Sequence, residues 1–473
     1  MRIEKDAIGT LAISDEAYYG IHAKRAAQNF PLKGIKVDPA LLKNLILVKK
    51  ACAKTNYLSN GLPTEKYQVI SQACNEILGN FDQYQADFIT PAIQGGAGTS
   101  TNMNVNEVIA NRALELLEHQ KGEYQYLHPN DDVNRSQSTN DTYPTAGHLA
   151  IIRSIDRLTE VLQTLINEFE ILAQKNKSTL KLGRTQLEDA VPTTFGMSFL
   201  AYASLLKRCL LRLQTTKDKL LIIPLGGTAI GTGINTSLSY QQKIVPTLAE
   251  MTNLPLKQAT NLIDGVQNTD CFLETADAFK NLAAALSKIS NDLRLLGSGP
   301  RAGLGELKLP KVQAGSSIMP GKVNPVIPEF VNQAAFQVIG YATTITYCVE
   351  AGQLELNAFE PVMFQDLLAG AQLLTVAIKT LSKNCLHGLV VDQARCRQNV
   401  EHSAEIATIL SPKIGYAAAT RLVKEALEKN ISIRDLLKAQ KLPTEEIAQL
   451  LSLPNLLGQV VGLANLKKVE AAH

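Results

Sequence analysis

The residues best suited to chemistry lie in one segment, GSSIMPGKVNPVIPE, from Gly315 to Glu329. Two glycines and three prolines within fifteen residues oppose regular structure, so the segment is predicted to be a loop. Adjacent hydroxyls and a cation in such a loop can stabilise negative charge that develops on a carboxylate. The candidate groups are two hydroxyls, a lysine, an amide and a carboxylate: Ser316, Ser317, Lys322, Asn324 and Glu329.

A second segment, Gly95–Glu107, is a glycine-rich turn that precedes a helix expected to begin near Asn102. The free N–H groups and positive dipole end of such a helix attract anions, and Thr99 adds a hydroxyl donor. The segment lacks the lysine that a P-loop carries at fixed spacing. It is therefore a candidate anion site and not a nucleotide-binding loop.

A third segment, Ser136–Thr142, is a run of seven polar residues at the expected start of a long helix. Helix capping needs one such residue, so capping alone does not explain the run. It supplies two hydroxyls and an amide as candidate donors: Ser138, Thr139 and Asn140.

A fourth segment, Leu182–Pro192, contains Thr185 and Gln186 and is predicted to be a turn between helices. A further glycine-rich stretch, Gly226–Asn235, is interpreted as a hinge that lines the site from outside.

Long helices must position these loops. Apolar residues recur at spacings of three and four, which is typical of a helix that buries one seam in a bundle. We interpret these stripes as core, without a cofactor role, and they predict an all-α fold. Three stripes carry the pattern: Ile155, Leu158, Leu162, Leu165, Phe169 and Leu172; Phe199, Tyr202, Leu206, Cys209 and Leu213; Phe279, Leu282, Leu286, Ile289, Leu293 and Leu296.

Three domains are predicted: a mostly helical domain over 1–138, a central long-helix bundle over 139–388, and a small helical domain over 389–473. Asp38 and Pro39 are expected to open a helix that runs to about Ser59. Helices this long suggest a bundle larger than one chain can close.

The bulk composition excludes several classes of protein. The 473 residues carry 47 basic and 44 acidic side chains, so there is no basic surface for nucleic acid or membrane. The seven cysteines are scattered, and neither a metal site, a disulfide framework nor a cofactor is indicated. Phe330–Val349 is uncharged but holds amides and threonines, which favours a helix buried in an assembly over a membrane span. We expect a cytoplasmic protein.

Together the four segments resemble the aspartase/fumarase superfamily over nearly the whole chain. Gly315–Glu329 is similar to its mobile signature loop, and Thr99, Ser138–Asn140 and Gly183–Thr185 fall in the family's order and spacing. The resemblance implies an all-helical subunit of three domains, a homotetramer and a small dicarboxylate substrate. It also implies active sites built from three subunits, since the polar segments lie too far apart along rigid helices to meet within one chain.

Within the superfamily, the details resemble the aspartases, which release ammonia, more than the fumarases, which release water. Gln186 stands where fumarases typically have a histidine paired with the glutamate matched by Glu329, and glutamine cannot titrate. Val326–Glu329 and Ala17–Arg25 also resemble the aspartase motifs, although Ala23 replaces a common threonine. The alternatives are a class II fumarate hydratase and a non-catalytic structural relative, as among the crystallins.

The resemblance implies that L-aspartate is converted to fumarate and ammonia through an aci-carboxylate, with Ser316 as the base. Serine is a poor base unless its oxyanion is stabilised, so loop N–H groups and Lys322 must lower its pKa. Glu329 is a supporting residue. The others are implied to bind substrate: Thr99, Ser138, Thr139 and Ser317 the carboxylate that gains charge; Thr185, Lys322 and Asn324 the other carboxylate; Asn140 and Gln186 the amino group.

A last segment contains His128, Asn130 and Asp131, which resemble a second, outlying carboxylate site of fumarases. Proline, asparagine and aspartate are commonly used in turns, so we favour a turn and helix cap here.

Overall fold

The computed structural model describes residues 1–457, except for the side chain of Lys413, and these residues are mostly helical. The predicted all-α class is confirmed. By compactness the described chain separates into two units: unit 1 comprises 1–159, 211–283 and 336–375, and unit 2 comprises the rest. Each unit gathers several stretches of chain. The predicted division into three consecutive domains stays a prediction.

The elements follow one another in a simple order. The first part of the chain contains β1 (Arg2–Asp6), β2 (Gly9–Ile13), α1 (Ile21–Asn29), α2 (Pro39–Leu58), α3 (Thr64–Gly79), α4 (Phe81–Tyr84) and α5 (Thr99–Leu116). The middle contains α6 (Thr139–Lys175), β3 (Leu180–Thr185), β4 (Glu188–Thr194), α7 (Phe195–Leu220), β5 (Ile222–Ile223), α8 (Leu238–Thr252), β6 (Lys257–Gln258), α9 (Leu262–Gln267) and α10 (Asp270–Leu296). The remainder contains β7 (Leu307–Lys308), α11 (Val326–Glu350), α12 (Glu360–Asn384), β8 (Val390–Val391), α13 (Gln393–His402), α14 (Ala407–Ile414), α15 (Tyr416–Lys429), α16 (Ile433–Ala439), α17 (Thr444–Leu450) and α18 (Leu453–Leu457).

The three predicted stripes lie on α6, α7 and α10, and all their residues except Leu172 are buried. Helices of 37, 26 and 27 residues result. Burial of one continuous apolar seam stabilises such helices far more than their propensities do. They act as rigid supports for the polar loops at their ends.

Helix starts follow local chemistry. Asp38 caps α2 as predicted, because its side chain accepts a hydrogen bond from the N–H of Ala40 at 2.7 Å and Pro39 occupies the first turn. Helix α5 begins at Thr99, three residues before the predicted Asn102, because Gly98 caps it at a φ of 87°. A β-carbon at Gly98 would lie 2.5 Å from the ring of Tyr143, so that position requires glycine.

The prediction that Leu182–Pro192 is a turn between helices was wrong, because the segment lies within a β-hairpin. Strands β3 and β4 pair antiparallel from Leu180 opposite Thr194 to Thr185 opposite Glu188. The two connecting residues, Gln186 and Leu187, have φ angles of 56° and 69°. Two left-handed residues form the turn that matches strand twist, although glycine and asparagine usually occupy it.

One helical stretch among the described residues, Glu360–Gly388, is long and apolar enough to cross a membrane by length and composition alone. Of its most apolar window, 56% is buried, as also happens in a core helix. The uncharged span Phe330–Val349 lies within α11, and that helix does not meet the same test.

Gly147 in α6 gives a test of this packing. A β-carbon there would lie 2.3 Å from the ring of Phe364. Alanine is the better helix former by about 1 kcal/mol, yet overpacking should make Gly147→Ala destabilise unit 1 by about 1–3 kcal/mol in denaturant unfolding. Gly79→Ala, in α3, is the matched control, since no atom lies within 4 Å of its β-carbon. Equal stability of the two variants would contradict the packing described.

Candidate active site

The Gly315–Glu329 loop holds the hydroxyl of Ser316 in a specific environment. Its Oγ accepts hydrogen bonds from two backbone N–H groups of the same loop, those of Ile318 at 3.2 Å and Met319 at 2.9 Å. Ser316 and Lys322 line one cavity of 370 Å³. Ser317 is exposed beside them. The loop therefore directs two donors at one oxygen and places it in the same cavity as a cation, an arrangement that suits an oxyanion.

The two ends of this loop are held together. The N–H of Gly315 donates to the carbonyl of Lys322 at 2.8 Å, and the Asn324 side chain donates to the carbonyl of Gly315 at 2.8 Å. A β-carbon at Gly315 would lie 2.7 Å from the backbone nitrogen of Asn324, so the approach requires glycine. The amide of Asn324 thus closes the loop and does not depend on a ligand for its partner.

Thr185 and Gln186 lie exposed at the tip of the β3–β4 hairpin. Next to this tip the hairpin is anchored by Arg184, whose guanidinium is 2.7 Å from Glu306, a fully buried carboxylate that also accepts from Asn399 at 2.8 Å. Glu306 is missing from the sequence-based prediction, because nothing in its local pattern distinguishes a buried glutamate. Removal of one partner from a buried ion pair is costly, so this anchor fixes the hairpin within unit 2.

Glu329 lies in the first turn of α11, where a carboxylate complements the helix dipole. Its cationic partner is Arg294 at 3.6 Å, and both side chains are partly exposed. With glutamine at position 186, the described contacts of Glu329 contain no histidine and provide no relay for activating water.

Unit 1 gathers the donors at the N-termini of α5 and α6. Ser138 Oγ accepts from the N–H of Asn140 at 3.2 Å, and Thr139 Oγ1 accepts from the side chain of Asn102 at 3.1 Å. The Asn140 side chain donates to the carbonyl of Ala229 at 2.8 Å. Thr99 is exposed at the first position of α5. The arrangement presents hydroxyl groups beside two helix N-termini, which suits a carboxylate.

Asp141 ties the Ser138–Asn140 segment to the glycine-rich stretch after α7. Its carboxylate accepts three backbone hydrogen bonds of 3.0 Å each, from Ser138, Gly226 and Thr228. Burial raises the pKa of Asp141 to about 6, and the three N–H groups oppose that shift. The hinge predicted at Gly226–Asn235 therefore lies against the polar segment. The role of Asp141 was missed, because its partners at Gly226 and Thr228 lie far away in the sequence.

His128, Asn130 and Asp131 form the predicted turn and cap. The Nδ1 atom of His128 accepts from the N–H groups of Asn130 at 3.1 Å and Asp131 at 3.2 Å, at the start of a short helical turn. These contacts are explained by capping, and a second carboxylate site here stays a prediction. Among residues 1–457, no group of three histidine, cysteine, aspartate or glutamate side chains is placed to hold a metal ion.

The candidate residues thus fall into two groups. Unit 1 holds Thr99, Ser138, Thr139, Asn140 and the His128 turn, and unit 2 holds Thr185, Gln186, Ser316, Ser317, Lys322, Asn324 and Glu329. Apart from the His128 turn, the first group consists of neutral hydroxyl and amide side chains. The second group combines hydroxyls, amides, the cation of Lys322 and the carboxylate of Glu329.

Comparison with known proteins relates this arrangement to a family. The model of the family described as lyase matches residues 9–340, and that described as the fumarase C C-terminus matches 406–458. An aspartate ammonia-lyase from Pseudomonas canavaninivorans is 48% identical to this chain, and the match covers 93% of each chain. An aspartate ammonia-lyase from Escherichia coli K12 is 45% identical, and the match covers 97% of this chain and 96% of that one.

Two solved structures share the fold. A fumarate lyase:delta crystallin from Brucella melitensis bound to cobalt has a TM-score of 0.92 at 45% identity, covering 96% of this chain and 98% of that one. A recombinant class II fumarase from Schistosoma mansoni has a TM-score of 0.91 at 31% identity, with the same coverage of both chains.

Proposed function

We propose an activity for this chain from the premise that it belongs to the lyase family, whose model covers residues 9–340. It is an aspartate ammonia-lyase, a carbon–nitrogen lyase that converts L-aspartate reversibly to fumarate and ammonia. The full-length likeness to the aspartate ammonia-lyases supports this assignment. The observation that carries the mechanism is the pair of backbone N–H groups that donate to Ser316 Oγ beside Lys322.

The chemical problem is the weak acidity of the C3 proton of aspartate. Loss of that proton leaves a carbanion at C3, which is stabilised by delocalisation into the neighbouring carboxylate as a dianionic aci-carboxylate. The activation free energy is largely the free energy needed to form this additional negative charge. A base and a dense set of donors must therefore act together. In this mechanism the ionised Ser316 takes the proton, while the N–H groups of Ile318 and Met319 stabilise its oxyanion before transfer.

The donors are divided between the two carboxylates. Thr99, Ser138, Thr139 and Ser317 hold the carboxylate that gains charge, and Thr185, Lys322 and Asn324 hold the other. Asn140 and Gln186 face the amino group, which leaves from the neighbouring carbon. A neutral glutamine at 186 supports loss of ammonia over activation of water, because it cannot accept a proton.

A homotetramer is part of the proposal, with each active site shared by three subunits. Support comes from α11, whose exposed residues between Gln333 and Tyr347 carry no charge, lie mostly at helical spacing and include aromatic rings 60% and 70% exposed at Phe336 and Tyr347. An uncharged face of this length is typical of a helix covered by other subunits. That face consists of Gln333, Phe336, Gln337, Gly340, Thr343, Thr344 and Tyr347.

We also place the enzyme in the cytoplasm. None of its seven cysteines forms a disulfide within residues 1–457, and six of them are buried. Cysteines outside disulfides are typical of a reducing compartment, which supports this location.

The activity is tested by following the absorbance of fumarate formed from L-aspartate and, separately, from L-malate. We expect rapid release of fumarate and ammonia from aspartate and little fumarate from malate. Faster turnover of malate would replace the proposal with a fumarate hydratase. Failure of both substrates with a folded tetramer would favour a non-catalytic structural relative.

Ser316→Ala tests the base. Since general base catalysis typically contributes about 10²–10⁴-fold, we expect kcat to fall by at least that range while the circular dichroism spectrum and sedimentation remain unchanged. Ser204→Ala is the matched control, because Ser204 is an exposed serine on α7 that donates only to the carbonyl of Leu200. Near-normal turnover of the Ser316 variant would exclude this residue as the base.

Phe336→Asp tests the assembly. A buried, unpaired carboxylate is costly, so the variant should dissociate and lose activity in proportion to the tetramer that remains. Leu427→Asp is the control, because Leu427 is 66% exposed on α15, outside the uncharged face. Full activity at monomer mass in sedimentation would contradict shared active sites.

A further inference from the structure

Lys49 is an unusual residue of α2, because its side chain is fully buried although no carboxylate within residues 1–457 forms an ion pair with it. Its ammonium instead donates to two neutral amide oxygens, Asn134 Oδ1 at 2.7 Å and Gln137 Oε1 at 2.9 Å. Burial lowers the pKa of Lys49 to about 7. The Asp141 carboxylate attracts this charge from beyond ion-pair distance and opposes the shift only in part. A buried lysine without a direct ion-pair partner is unfavourable, so its position calls for a specific role.

The acceptor Asn134 is shared. Its Oδ1 also accepts from the side chains of Asn102 at 3.2 Å and Asn106 at 3.1 Å, within the same unit. Lysine can only donate, so the Asn134 atom that faces Lys49 must be oxygen. Asn102 must in turn present its NH₂ group to that oxygen.

The same NH₂ group of Asn102 donates to Thr139 Oγ1 at 3.1 Å. The Thr139 hydroxyl therefore accepts a hydrogen bond from Asn102, and its single hydrogen remains available to donate to another group. If Asn102 were reversed, Thr139 would donate to the Asn102 oxygen and turn its lone pairs toward any carboxylate in front of it. The direction of one hydrogen bond thus decides whether Thr139 attracts or repels a carboxylate.

We propose that Lys49 is a positioning residue that fixes the donor direction of Thr139 through Asn134 and Asn102. The role rests on the proposed function, in which Thr139 binds the carboxylate that gains charge. Lys49 does not touch the substrate. Its contribution lies in the direction of the hydrogen bonds, because an ammonium can only donate. The side chain of Asn134 also donates to the carbonyl of Gln137 at 3.3 Å, which favours the same orientation of its amide.

The test is a double-mutant cycle of Lys49→Met and Thr139→Val. Hydrogen bonds to charged groups contribute about 1.5–3 kcal/mol, so Lys49→Met should lower kcat/KM by about 10- to 100-fold and weaken binding of succinate, an unreactive dicarboxylate, by a similar factor. In the Thr139→Val background, Lys49→Met should cost less than about 2-fold, since residues acting through one contact are non-additive. Equal losses in both backgrounds would overturn the proposal.

Lys50→Met is the matched control, because the neighbouring lysine donates to Asn75 in an exposed contact, and it should match the wild type. If Lys49→Met does not fold, Asn134 supplies the same test. Asn134→Asp keeps acceptors toward Lys49 and Asn102 and should retain activity, whereas Asn134→Leu should lose it only when Thr139 is present. Loss of activity in both Asn134 variants, or in neither, would refute the role of Lys49.

The two proposals fail in different ways. If the wild type releases no fumarate from L-aspartate, the proposed function falls, and the role of Lys49 falls with it. If the wild type is active but the cycle is additive, only the role of Lys49 falls.

Discussion

The backbone hydrogen bonds to Ser316 are the interaction on which the proposed chemistry depends. A serine hydroxyl ionises only when its oxyanion is better solvated by the protein than by water. The N–H groups of Ile318 and Met319 provide that solvation at fixed positions. Their positions depend on the closed base of the loop, where Gly315 allows a backbone approach that any β-carbon would prevent. In the proposed mechanism, loop geometry, and not the lysine alone, therefore activates this serine as the base.

Unit 1 contains two buried charged groups that fix the direction of neighbouring hydrogen bonds. Asp141 is an acceptor with three backbone donors, and Lys49 is a donor with two amide acceptors. Each ionised group fixes the direction of the neutral hydrogen bonds around it, because a carboxylate can only accept and an ammonium can only donate. In the proposed site, Asp141 orients the Ser138 segment, and Lys49 orients Thr139 through Asn134 and Asn102. Burial of these two charges is unfavourable in free energy, but it preorganises the neighbouring hydrogen-bond donors.

Much of this could be predicted from the sequence, and the failures have identifiable causes. The long helices were predicted because their apolar period is local and strong. The loop at Gly315 was predicted because its glycines and prolines oppose helix. The β-hairpin was wrongly predicted as a turn between helices. Gln186 and Leu187 adopt positive φ, but neither is a glycine or asparagine that would indicate a hairpin turn. Asp141 and Lys49 were missed because residue type alone does not distinguish a buried charge from an exposed one.

The tip of the Ser316 loop carries an exposed apolar side chain, that of Ile318. Ile318 is 84% exposed, although burial of such a side chain is favourable by about 1.5–3 kcal/mol. The same residue supplies one of the N–H groups that bind Ser316 Oγ. Covering the isoleucine by loop closure would therefore be favourable, exclude water from the cavity shared with Lys322 and strengthen every hydrogen bond within it. In the proposed mechanism, closure and activation of the base would be coupled, because Ile318 would take part in both.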